Sequence, residues 1–181
     1  MDLWLDLLNS DWHDYRGSGR REDRLDDPAW LGKYLARWSD GLRGVPAADV
    51  RSVLKDLRSV LRAVVDRLAA GKSVPQSLWT RLNALLAACP VVRRVGRTPR
   101  GYAVDYVPLV SGLKKVTAEI AESFCASLAA DGASRIKVCE NKDCLWVFYD
   151  QSKNRSRRWC EGDTGCGNMM KVRRFRARKA R

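Results

Sequence analysis

Residues 139–181 read CENKDCLWVFYDQSKNRSRRWCEGDTGCGNMMKVRRFRARKAR and hold four of the chain's six cysteines. Cys139 and Cys144 form one pair, C-x4-C; Cys160 and Cys166 form another, C-x5-C, after a spacer of fifteen residues. Two short loops facing each other can bring four thiolates to the corners of a tetrahedron. Zn²⁺ suits that arrangement because a d¹⁰ ion asks only for charge and soft ligands. Paired cysteines at such spacings are a zinc signature. The bland alternatives are two disulfides or four unrelated buried thiols, and a reducing compartment disfavours the first. His13 is far away in sequence, so the expected site is all-cysteine: one Zn²⁺ per chain. With no open coordination position, that zinc is structural.

The flanks carry a second signal. Leu145-Trp146-Val147-Phe148-Tyr149 is a strand-like apolar run. A basic stretch follows with Lys153, Asn154, Arg155, Arg157 and Arg158, closed by Trp159. After Cys166 the chain is strongly basic. Read as a helix, it puts Met169, Val172 and Phe175 on one side and Lys171, Arg174, Arg178 and Arg181 on the other. The apolar side is expected to pack on the zinc module while the other, with Arg173 and Arg176 nearby, presents cations.

These residues resemble the CGNR zinc finger, found at the C-terminus of bacterial proteins described as transcription regulators. The resemblance rests on the four cysteines, Phe148-Tyr149-Asp150, Ser152, Asn154-Arg155-Ser156, Arg157-Arg158-Trp159-Cys160, Cys166-Gly167-Asn168 and Lys171-Val172-Arg173-Arg174. Two features depart from the pattern. Met169 stands where the motif has arginine, and the loop from Cys160 to Cys166, with Gly162 and Gly165, is one residue longer. Leu5-Asp6-Leu7-Leu8-Asn9 is similar to the opening of the family's N-terminal domain, called ABATE. The resemblance implies a regulator whose N-terminal domain senses a ligand.

The chain has 181 residues, 45% hydrophobic and 30% charged, which suits a globular protein. Its net charge is +13, unevenly placed: residues 135–181 carry 14 Lys/Arg against 5 Asp/Glu, the remainder 20 against 16. A local cationic excess points to a polyanion, most often nucleic acid. No apolar run approaches the roughly 18 residues of a membrane span, so no membrane partner is expected. Met1-Asp2-Leu3-Trp4 lacks the basic start of a secretory signal. A cytoplasmic location is the expectation.

Upstream, the expected fold is mainly α with a small β-hairpin: a helical N-terminal domain plus a small C-terminal zinc-finger module built on four cysteines, divided as 1–133 and 134–181. Leu3–Leu8 reads as a short helix and 11–28 as a loop. A helix follows Pro28, and the longest runs from Pro46 to about Ala70 with Val50, Val53, Leu54, Leu57, Val60, Leu61, Val64 and Leu68 as its stripe. Another holds Leu78, Leu82, Leu85 and Leu86. Residues 91–107 read as the hairpin, and a last long helix is expected from Pro108. Cys89 and Cys125 read as core residues. The stripes are expected to bury against one another rather than against the finger, so that 1–133 would fold alone.

The function expected is a DNA-binding transcription regulator, with the zinc module on double-stranded DNA and the N-terminal domain as sensor or dimerisation unit. Its contact residues would be Lys153, Asn154, Arg155, Arg157, Arg158, Lys171, Arg173, Arg174, Arg176 and Arg178. Trp12, His13 and Tyr15 are candidates to line a small-molecule pocket, with core packing as the alternative role. An RNA-binding zinc protein stacking bases on Trp146, Phe148, Tyr149 and Trp159 is one alternative; an adaptor for an acidic protein is another. No paired carboxylates, nucleophile–base spacing or Gly-rich phosphate loop argues for an enzyme.

Overall fold

The hydrophobic stripes dictate a helical core. The computed structural model describes residues 3–160 and 165–179. Helix α1 (Leu3–Leu8) buries Trp4, Leu7 and Leu8. Helix α2 (Pro28–Leu35) starts where Pro28 presets φ and the Asp27 carboxylate accepts the Ala29 amide at 2.9 Å. Helix α3 (Ala47–Ala69) is the axis, burying Val50, Leu54, Leu57, Val60, Leu61, Val64 and Val65. Helix α4 (Gln76–Ala87) and helix α5 (Leu113–Asp131) pack beside it. Trp4 meets Phe124 edge-on with centroids 5.2 Å apart, and its indole N–H donates to Ser127 Oγ at 3.0 Å.

Helix α5 begins later than Pro108 suggests. Strand β3 (Val91–Thr98) pairs antiparallel with β4 (Gly101–Pro108), and Val91 opposite Pro108 completes the ladder. The chain then turns at Gly112, whose φ of +69° favours glycine, before the helix starts. This hairpin stands out from the body with Val95, Tyr102, Val104 and Tyr106 exposed.

Two further two-stranded antiparallel sheets were less visible. Strand β1 (Asp11–His13) pairs with β2 (Arg21–Asp23) inside the stretch read as a loop. No apolar alternation announces it. A charge pair fastens it instead, with Arg21 reaching Asp11 through Nε at 2.6 Å and Nη2 at 2.8 Å. Strand β5 (Ile136–Val138) pairs with β6 (Val147–Tyr149) and carries the first cysteine pair at its turn.

The stripes bury against one another as expected, and the finger's hairpin joins the same core. Ile136 (1% exposed) and Val147 (0%) belong to the same apolar cluster as α1, α3 and α5, and β5 packs on α3. The finger's hairpin is a wall of the helical domain, because two three-residue strands have too little apolar area to form a core of their own. Asn9 stitches the join. Its buried side chain donates to the Val147 carbonyl and accepts the Val147 amide, both at 2.9 Å. No described helix is long and apolar enough to cross a membrane.

Candidate metal centre and basic face

The metal centre starts from the turn between β5 and β6. Cys139 leaves β5 with its amide on the Trp146 carbonyl at 2.8 Å, and the Cys144 amide folds back onto the Asn141 carbonyl at 2.9 Å. Leu145 then takes φ +55°, a left-handed turn that costs a side-chain-bearing residue about 1–2 kcal/mol. The Arg62 guanidinium steadies it, donating to the Leu145 carbonyl at 3.0 Å. Cys160 comes from the loop after Trp159. Cys166 opens helix α6 (Cys166–Lys179), where the helix dipole favours a thiolate.

The four Sγ atoms are buried and all lie within 4.8 Å of one another. A tetrahedron with Zn–S bonds of ~2.3 Å has edges of about 3.8 Å. The Cys144 and Cys160 sulfurs are 3.7 Å apart, and all six cysteines are free thiols, so the disulfide alternative fails. Four thiolates this close cannot all be charged without a cation. Side-chain hydrogen bonds from Cys144 and Cys160 push the Cys139 thiol far down, while the same kind of contact with Cys139 and Cys160 pushes Cys144 up. A divalent ion resolves that conflict. The site fits a structural zinc, one per chain.

Donors around the sulfurs orient the ligands. Asn141 Nδ2 reaches Cys166 Sγ at 3.4 Å and the Tyr15 carbonyl at 2.8 Å. Backbone amides of Asn141 and Cys160 approach Cys139, and that of Trp146 approaches Cys144. Tyr15 packs on the cysteine cluster. Its loop clasps the module further: Arg173 donates to Asp143 at 3.3 Å and to the Arg16 carbonyl at 3.2 Å. Gly17 sits so close that a Cβ would lie 3.0 Å from the Asp143 carboxylate.

A second buried hub is Asp150, fully enclosed. Its carboxylate accepts Lys137 Nζ at 2.8 Å and the amides of Ser152 and Arg157, each at 3.0 Å. Burial alone would raise its pKa, but those three donors outweigh it and hold the carboxyl well below the usual range. Lys137 also donates to the carbonyls of Arg155 and Arg157. One ion pair therefore shapes the loop that leads to Cys160.

The expected DNA contacts divide by what they already hold. Arg158 forks onto Glu140, its Nε 2.8 Å from both carboxylate oxygens, and lies over the Trp159 ring. Arg157 covers the Phe148 ring at 4.9 Å. Arg155 reaches Ser134 Oγ at 2.8 Å, and Arg173 is in the clasp. Lys153 and Asn154 are exposed in the loop. Lys171, Arg176 and Arg178 project from α6 with no ion pair or hydrogen bond among the described residues. The Arg174 side chain and Arg181 lie outside the described residues. The apolar side expected to pack does so only at its start: Met169 is half-buried, whereas Val172 is 40% and Phe175 53% exposed. The helix is rooted by Cys166 and then leaves the body.

Trp12, His13 and Tyr15 have different surroundings. Trp12 lies opposite Glu22 in the β1–β2 pair. His13 Nε2 is 3.3 Å from Asp11 Oδ1, and Tyr15 supports the cysteines. A cleft of about 450 Å³ lies between α1, α2 and Trp146. Asn9 and Asn141 were missed as structural determinants because their partners lie far away in sequence; Asn9 and Asp150 were visible only within the family motifs.

Fold and site together define a zinc-finger protein whose finger is built into the wall of a helical domain. The family described as "CGNR zinc finger" matches residues 135–179. The family described as "Putative stress-induced transcription regulator", ABATE, matches residues 1–131, and the chain belongs to it. No curated protein matches the chain.

Proposed function

We propose that this protein regulates transcription by binding duplex DNA through helix α6, in the cytoplasm and without catalysing a reaction. The observation that carries this reading is the geometry of α6. Its first residue, Cys166, is held in the metal centre, while Lys171, Arg176 and Arg178 face solvent without internal partners among the described residues. A helix fits the major groove, where arginine can bond guanine through two donors. Phosphate contacts supply sequence-independent affinity. The N-terminal domain serves as sensor or dimerisation unit, with a homodimer as the symmetric arrangement for two half-sites. The state of the aromatic side chains that RNA stacking would need supports this choice over RNA: Phe148 is buried, and Arg157 and Arg158 already cover Phe148 and Trp159.

The test is selection of bound duplexes from a random pool, then titration of the selected and random duplexes at several salt concentrations. Lys171→Ala and Arg178→Ala should each weaken binding and flatten the salt dependence by about one phosphate. Absence of salt-dependent duplex binding by the zinc-loaded chain overturns the reading. Preference for single-stranded RNA or an acidic polypeptide in the same titration assigns the basic face to that partner instead.

A further inference from the structure

We infer that the cleft between α1, α2 and the finger's Trp146 is a binding site for a planar aromatic anion. This rests on the sensor reading above and deepens it by naming the site and the ligand chemistry.

The cleft encloses about 450 Å³, within the ~300–1,000 Å³ of small-molecule sites. Its walls are aromatic from both matched segments. On α2, Trp30 and Tyr34 stack with centroids 5.1 Å apart and planes 15° from parallel. From the finger, Trp146 presents its indole, with the Arg24 guanidinium 5.9 Å from the ring centroid. Tyr34 is not an acid here. Its hydroxyl donates to the Leu3 carbonyl at 3.0 Å, and burial, with help from the Asp6 charge, pushes its pKa far up. It offers a neutral flat face, and ring faces bind planar π-systems by offset stacking.

Charge selects among planar molecules. Arg24, Lys33 and Arg37 line the cleft against one carboxylate, Asp6. None of the three cations has an ion-pair partner among the described residues. Three cations around an apolar, partly desolvated slot favour a carboxylate or similar anion and disfavour an ammonium.

The position of Trp146 gives the site a route to the finger. Its carbonyl accepts the Cys139 amide, and its own amide approaches Cys144. Asn9, also on the cleft, holds both main-chain groups of Val147. A molecule wedged between Trp30 and Trp146 therefore braces the turn that carries the first two zinc ligands.

The binding titrations use the zinc-loaded full chain without DNA, so their outcome is independent of whether α6 binds duplexes. Calorimetric titrations compare indole-3-acetate, 1-naphthoate and benzoate with neutral indole and cationic tryptamine. The anions should bind, with indole at least about tenfold weaker, the loss expected for one charge-assisted contact, and tryptamine weaker still. Trp30→Ala should abolish the binding, and Arg24→Gln should erase the advantage of indole-3-acetate over indole. Bound indole-3-acetate should also slow zinc transfer to a chromophoric chelator. Failure of every anion to bind at millimolar concentration overturns the inference. So does equal affinity for indole-3-acetate and tryptamine, or unchanged affinity in Trp30→Ala of native zinc content. A ligand effect on duplex binding that survives Trp30→Ala would leave the sensor reading standing and move its site elsewhere.

Discussion

Asp150→Asn should destabilise the finger by about 3 kcal/mol, the lower end of the cost of breaking a buried ion pair. The carboxylate is wholly enclosed and accepts three donors, Lys137 Nζ and the amides of Ser152 and Arg157. Asparagine keeps the shape but replaces one acceptor oxygen with an NH₂ group. Whichever way the amide turns, a donor then faces a donor, and Lys137 loses its counter-charge. The Lys137 side chain is 22% exposed, and its ammonium retains the carbonyls of Arg155 and Arg157, which is why the lower end applies. Urea unfolding of the zinc-loaded chain should show a midpoint lowered by about 1–3 M, given slopes of ~1–3 kcal/mol/M. Zinc capture by a chromophoric chelator should accelerate by about 100-fold if release requires the loop before Cys160 to open. Lys137→Met should cost a similar amount, because it strands the buried carboxylate. The double variant should cost clearly less than the sum of the two. An unchanged midpoint and unchanged zinc release in Asp150→Asn would refute the role assigned to this hub.

Truncation after residue 133 should give a poorly cooperative, dye-binding product, because removing Ile136 and Val147 uncovers α3 and forfeits about 1.5–3 kcal/mol for each. A sharp thermal transition in that fragment would show that the helices close without the finger. Asp23 is forked by Arg58 at 2.6 and 2.8 Å. Burial opposes ionisation there, but Arg58 wins and the carboxyl is lowered to about 2. A depressed carboxyl stabilises above its unfolded value near ~4. Its contribution of about 2 kcal/mol should fade as pH falls through about 2. The stability gap between wild type and Asp23→Asn, measured in matched buffers, should therefore be full above about pH 5 and close on acidification; a pH-independent gap refutes the pairing.

What could be read from the sequence was local. A 3.6-residue stripe belongs to one helix, so α3 and α4 fall where Val50–Leu68 and Leu78–Leu86 put them. Cysteine spacing belongs to two short turns, and the quartet is assembled as those turns require. What could not be read was which surfaces meet. Arg158 looks like a free cation until Glu140, eighteen residues earlier, is folded against it. Val172 and Phe175 share a helical side with Met169, but periodicity does not say whether a neighbour is present to cover them, and there they stay exposed. Asn9 and Asn141 are single polar residues whose periodicity names no partner, and both prove to join the matched segments. The β1–β2 pair is held by charge in a stretch without alternation, so period-2 reasoning passes over it.

The bond between Asn9 and Val147 spans 138 residues of chain. Ribosomes add about 5–20 residues per second, so α1 leaves the tunnel roughly 7–30 seconds before its last partner is made. During that interval Trp4, Leu7 and Leu8 have neither β6 nor α5 complete beside them. The nascent chain therefore carries an uncovered apolar end through most of its own synthesis. That makes its yield in the cell a matter of translation speed and chaperone occupancy as well as zinc supply.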